Sequence, residues 1–125
     1  MSQQEDVVDE LSLLRERIAG ITDSLVSTAD GMLVASDSTG IHPESVAALG
    51  SVALGLAKRT AATVGLGELR EVVTHGQSGY VVIYAIGENA VLILLGDEGL
   101  NLAALHAQSR QTVDKLAKLL NIPQA

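Results

Sequence analysis

Residues 79–95, Gly-Tyr-Val-Val-Ile-Tyr-Ala-Ile-Gly-Glu-Asn-Ala-Val-Leu-Ile-Leu-Leu, decide the fold. Two apolar runs, Tyr80–Ile86 and Ala90–Leu95, are split by Gly87-Glu88-Asn89, a composition that turns the chain. A strand with one wet face alternates apolar and polar residues. Neither run alternates, so both are expected in the middle of a sheet with helices over each face. Upstream, Leu69–His75 reads as a third strand of the same meander, joined through Gly76-Gln-Ser-Gly79. Its adjacent charges Arg70 and Glu71 suit an edge better than a centre.

Two more strands lie nearer the N-terminus, Ser24–Ala29 and Met32–Ser36, joined by Asp30-Gly31, a dipeptide that supplies the positive φ of a tight hairpin. Three helices complete the pattern. Val7, Leu11, Leu14 and Ile18 recur at helical spacing in a first helix ending near Gly20. Pro43, after the polar loop Asp37–His42, opens a second that runs to residue 64. Leu102, Leu105, Ser109, Thr112, Val113, Leu116 and Leu120 mark a third, stopped by Asn121 and Pro123. The order α-β-β-α-β-β-β-α predicts an α/β (α+β) sandwich: a five-stranded, mostly antiparallel sheet with one long helix on one face and the two terminal helices on the other. Residues 6–121 form the domain, with short tails over 1–5 and 122–125.

Composition narrows the function. The chain of 125 residues has no cysteine, which excludes disulfides, thiolate metal sites and thiol nucleophiles. Eight basic against fifteen acidic side chains leave a net charge of −7, which repels phosphate backbones and anionic lipid, so no nucleic acid partner is expected. Phe and Trp are absent and only Tyr80 and Tyr84 are aromatic, so no stacking platform for bases or sugars is available. Met1-Ser-Gln-Gln-Glu-Asp has acid where a signal peptide carries Lys or Arg, and no apolar run reaches the ~20 residues of a membrane span. A cytoplasmic protein without membrane insertion is expected.

The second helix is the informative element. On a helical wheel Val46, Leu49, Ala53, Leu56, Thr60 and Val64 share one face, expected against the sheet. The opposite side carries Ala47, Ala48, Ser51, Leu54, Gly55, Ala61 and Ala62, with Lys58 and Arg59 as its only charges. Gly50 and Gly55 each cost about 0.5–1 kcal/mol relative to Ala inside a helix, which a close backbone approach would offset. This side is therefore expected to meet a second copy of the chain, and the charged edge strand would then meet its own copy and continue the sheet. The bland alternative is that alanine is simply the best helix former and covers a surface cheaply.

No catalytic constellation emerges. His42, His75 and His106 show no metal-ligand spacing and read as loop, strand-end and half-buried structural histidines. Gly76-Gln-Ser-Gly79 lies between two strands, so it is a hairpin and not a nucleophile elbow. Gly65-Leu-Gly67 lacks the third glycine and the strand-to-helix setting of a dinucleotide fingerprint. Asp97 and Glu98 read as favourable charges at the start of the third helix. No catalytic residue, cofactor or metal is expected.

Taken in order, Ser24-Leu-Val-Ser-Thr-Ala-Asp-Gly-Met-Leu-Val-Ala-Ser36, the Ala-rich second helix, Gly67-Glu-Leu-Arg-Glu-Val-Val-Thr74, Gly79-Tyr-Val-Val-Ile-Tyr84 and the closing helix from Asn101 to Leu120 resemble the Roadblock/dynein light chain domain over residues 6–120. The short tails and acidic N-terminus look like its bacterial, MglB-like branch. The resemblance implies a homodimer formed through the second helix and third strand, a non-catalytic platform that binds a Ras-like small GTPase and modulates its nucleotide cycle or location. Carried onto this chain, the dimer contact would take in Ala47, Ala48, Ser51, Leu54, Gly55, Lys58 and Ala62 of the helix with Arg70, Val72 and Thr74 of the strand. Lys58, Arg59 and Ala61 would face the partner. A small-ligand sensor or a purely structural subunit are the alternatives.

Overall fold

The computed structural model describes residues 2–122. Its elements are α1 (Gln3–Arg17), β1 (Ile21–Thr28), β2 (Leu33–Asp37), α2 (Pro43–Thr63), β3 (Val72–Gly76), β4 (Gly79–Ile86), β5 (Ala90–Asp97) and α3 (Leu102–Leu119). The strands form one sheet in the order β2-β1-β5-β4-β3, antiparallel at every neighbour. The apolar runs that decide the fold are β4 and β5, and β5 is the central strand. The α+β sandwich read from the sequence is the one observed.

Element boundaries differ where local hydrogen bonding decides them. The expected tail over residues 1–5 is helical from Gln3, because Ser2 caps α1: its hydroxyl accepts from the Glu5 N–H at 3.1 Å. At the first hairpin only Gly31 has positive φ (+97°). The connection is longer than a two-residue turn: the Thr28 N–H donates to the Met32 carbonyl at 2.8 Å, and the register shifts at Val26/Ser27. Regular pairing in β3 starts at Val72, leaving Leu69, Arg70 and Glu71 before the strand. Asp97 ends β5 and its carboxylate accepts from the Gly99 N–H at 2.8 Å, so it and Glu98 precede α3 without entering its first turn. Asn101 caps that helix instead, accepting from Ala104 at 3.0 Å. Asn121 stops it in the left-handed conformation (φ +58°). Pro123, the other expected stop, lies with Met1, Gln124 and Ala125 outside the described residues.

The sheet separates two cores. On one face Val7, Leu11 and Leu14 of α1 and Leu105 and Leu116 of α3 pack on Val26, Val82, Ile86, Leu92 and Leu94. On the other, α2 sets Ala47 and Leu54 on Leu25, Ile83, Val91 and Ile93. The second core is built from smaller helix side chains, so the helix axis must come closer to the sheet.

Candidate self-association and partner surface

How α2 meets the sheet determines what it leaves outside. Gly50 faces β5 so closely that a Cβ there would lie 2.3 Å from the Ile93 Cδ1. Around it Ala47, Ser51, Leu54 and Ala61 are buried. Ser51 is held by its own sheet, its hydroxyl 3.0 Å from that of Ser27 and donating to the Thr28 carbonyl at 3.2 Å. Apart from Leu54 the inward residues are small, and Leu49, Leu56 and Val64, expected against the sheet, face out, while Ala48, Gly55, Lys58, Arg59 and Ala62 are outward as expected. Leu49, Val52 and Leu56 are 71 %, 61 % and 59 % exposed, and Val64 is also exposed. Val46 and Ala53 are half-buried at the margin.

The expected contact set changes accordingly. Ala47, Ser51 and Leu54 are spent on the sheet and have little surface to offer a copy, and Ala61 is buried and cannot face a partner. Ala48, Gly55, Lys58, Arg59 and Ala62 are at the surface, as are Arg70 and Thr74, with Val72 half-buried. The ~100° step of an α-helix divides the outward side into two stripes. Ala48, Gly55, Arg59 and Ala62 form one, on the side of β1 and β2, since Ala48 lies over Gly31. Leu49, Ala53, Leu56, Thr60 and Val64 form the other, on the side of β4 and β3 beyond Gly50, whose Cβ position also lies within 4 Å of Ile83 on β4. Apolar periodicity picks out the second stripe but places it inside. Size alone does not place it outside either, since Ala47, Gly50, Ser51 and Ala61 share the inward face with Leu54 while Ala48, Gly55 and Ala62 are small and outward.

The two edges of the sheet are unlike. β2 carries the register shift against β1, and the Gln4 side chain from α1 donates to its Val34 carbonyl at 3.1 Å. Bulges and covering groups blunt an edge. β3 pairs with β4 in unbroken register from Val72↔Ile83 to Gly76↔Gly79, and among the described residues no strand lies on its other side. Val73, Thr74 and His75 are exposed along it. The open edge and the outward leucine stripe lie on the same flank.

The histidines are placed in three different settings. His42 is the residue before α2, with Nδ1 3.0 Å from the Ser45 hydroxyl. His75 stacks on Tyr80, ring centroids 4.1 Å apart, and its Nε2 is 3.2 Å from a Glu98 carboxylate oxygen. His106 Nδ1 is 2.8 Å from the Tyr84 hydroxyl and 3.5 Å from a Glu71 carboxylate oxygen. Burial pushes the Tyr84 hydroxyl up to about 12, with the nearby Glu71 charge adding to the rise and a Ser109 hydrogen bond opposing it. Among the described residues no three His, Asp or Glu side chains are grouped to hold a metal ion, and no helix is long and apolar enough to cross a membrane. Two open grooves mark the surface elsewhere, one of about 430 Å³ between α1 and β2 and one of about 340 Å³ beside Glu10 and Leu119.

The profile of the Roadblock/LC7 domain matches residues 7–96. An uncharacterised protein of Methanocaldococcus jannaschii is 32 % identical over 111 residues, 88 % of this chain and 96 % of that one. A Roadblock/LC7 domain from Streptomyces avermitilis superimposes with a TM-score of 0.78 at 23 % identity, covering 87 % of this chain and 92 % of that one. MglB in a tetrameric arrangement gives 0.85 at 18 % identity over 95 % and 90 % of the two chains. Myxococcus xanthus MglB gives 0.82, also at 18 % identity, over 93 % and 95 %. At these identities the bacterial structures speak for the fold alone, whereas the Methanocaldococcus protein is a relative in sequence.

Proposed function

Since the chain belongs to the Roadblock/LC7 domain family, we propose that it works as a homodimeric, non-catalytic platform for a Ras-like small GTPase. One observation carries the first half of this reading. A folded protein of this size leaves Leu49, Val52, Leu56 and Val64 in water on one helix, beside a regular strand edge that pairs with no other described strand. Large apolar side chains grouped on a surface mark an interaction site. Pairing α2 with its copy would cover the Leu49–Leu56–Val64 stripe, and pairing β3 with its copy would satisfy the free backbone groups of Val72–Gly76, with Arg70, Val72 and Thr74 at the junction. A two-fold contact of this kind is self-complementary and closed, so it stops at two copies. It should bury at least ~800 Å² per protomer.

The stripe on the side of β1 and β2 supports the partner. Ala48, Val52, Gly55 and Ala62 leave a low, apolar surface beside Lys58 and Arg59, neither of which is ion-paired among the described residues. Such a surface lets another protein approach the helix backbone while two cations select an acidic counterpart. Membership of the Roadblock/LC7 family makes a small GTPase the favoured class of partner. The sequence carries no phosphate-binding loop of its own, so hydrolysis would be the partner's. A test is retention of small GTPases from the same genome on the immobilised protein, loaded with GDP or a non-hydrolysable GTP analogue. Nucleotide-dependent retention that is lost in Lys58→Glu/Arg59→Glu supports the reading. Failure to retain any of them in either state contradicts it.

A further inference from the structure

β3 has a second unusual property besides its free edge. Each of its ends meets a histidine–carboxylate contact. At the C-terminal end His75 faces Glu98, in the turn before α3, at 3.2 Å. At the N-terminal end Glu71, the residue before the strand, faces His106 of α3 at 3.5 Å. Between them the strand is held inside its own chain only by β4, among the described strands. The connection that leads into it, residues 64–70, is exposed except for Leu69 and turns at Gly65 and Gly67 with φ of +73° and +85°.

Protonation changes what each contact does. While His106 is neutral, Nδ1 takes part in one hydrogen bond, with Tyr84, and the Glu71 carboxylate at the same nitrogen gains little. Once the ring is charged both nitrogens donate, and Glu71 becomes an ion-pair partner. The Tyr84 hydroxyl keeps its proton throughout the neutral range, so it does not compete for charge. Arg110, one turn further along α3, reaches Asp114 at 3.9 Å. At the other end a charged His75 would gain both the Glu98 carboxylate and the face of Tyr80, on which it already lies with an interplanar angle of 5°. The ionisable groups facing these two rings are thus Glu71 and Tyr84 for one and Glu98 and Tyr80 for the other.

We infer that β3 is a proton-responsive edge: charging His75 and His106 clamps both ends of the strand to the α3 layer and so strengthens its pairing with a second copy. The inference rests on the self-pairing proposed above. A strand fixed beforehand in its paired geometry loses less freedom on association, which tightens the complex. Under this inference association takes up protons, which is what would make the paired form more stable as pH falls.

The experiment is the dimer dissociation constant by sedimentation equilibrium at about pH 8 and about pH 5.5, a range that brackets the charging of histidine. It is run at constant ionic strength for the natural chain, for His75→Gln/His106→Gln and for Glu71→Gln/Glu98→Gln. The natural chain is expected to bind on the order of fivefold more tightly at the lower pH, since exposed ion pairs are individually weak. Both double variants should lose that response. An equal response in the histidine variant would attribute the effect to net charge and overturn the inference, as would a natural dimer whose Kd does not change. A chain that is monomeric at both pH values overturns the self-pairing reading itself.

Discussion

The two long helices α2 and α3 are both amphipathic, yet they are used in opposite ways. α3 buries Leu105 and Leu116 and shows water a polar face with Arg110, Gln111 and Lys118. α2 buries Ala47, Gly50, Ser51, Leu54 and Ala61 and shows water Leu49, Val52, Leu56 and Val64. A helix that only closes a core puts its bulk inside. A helix whose backbone lies close to its sheet and whose large side chains are outside has an apolar face that packing within the chain does not cover.

Truncation should separate the two helices most clearly. Leu116→Ala on α3 removes a fully buried side chain and should cost about 2–5 kcal/mol of stability in chemical unfolding. The same change at Leu56 on α2 should stay within about 0.5 kcal/mol for the monomer and weaken self-association instead. Equal losses in dilute protein at the two positions would remove the contrast. Within α2 the two glycines give a smaller, signed test. Gly50→Ala pushes a methyl into Ile93 and should destabilise by about 1–3 kcal/mol. Gly55→Ala meets nothing within 4 Å and should stabilise the isolated chain by up to ~1 kcal/mol through helix propensity. Smallest of all, Gln4→Ala takes the cover off the β2 edge and removes one exposed hydrogen bond, a loss of about 0.5–1 kcal/mol at most.

Part of this contrast is legible in the sequence. The unbroken apolar runs at Tyr80–Ile86 and Ala90–Leu95 place the centre of the sheet, because only a strand covered on both faces is apolar at every position. The strand after Leu69 is at an edge as expected, although the charged pair Arg70-Glu71 that suggested it lies before the strand and not in it. What periodicity does not supply is the sense of α2, since both of its faces are apolar and a wheel ranks hydrophobicity, not the depth available above a sheet. That depth depends on Ile93 reaching up under Gly50, a contact between residues far apart in the chain that no local pattern records. The partners of His75 and His106 are hidden for the same reason: Glu98 and Glu71 come to them only through strand pairing and the docking of α3.

The most direct test of the central claim, that the bulk left outside α2 is covered by a second copy, is the mass in solution of Leu49→Glu/Leu56→Glu against the natural chain. Multi-angle light scattering at micromolar concentration, with circular dichroism to follow the fold, should show a natural dimer and a variant monomer with unchanged helix and strand content. A natural chain of monomer mass, or a variant that stays fully dimeric, would contradict it.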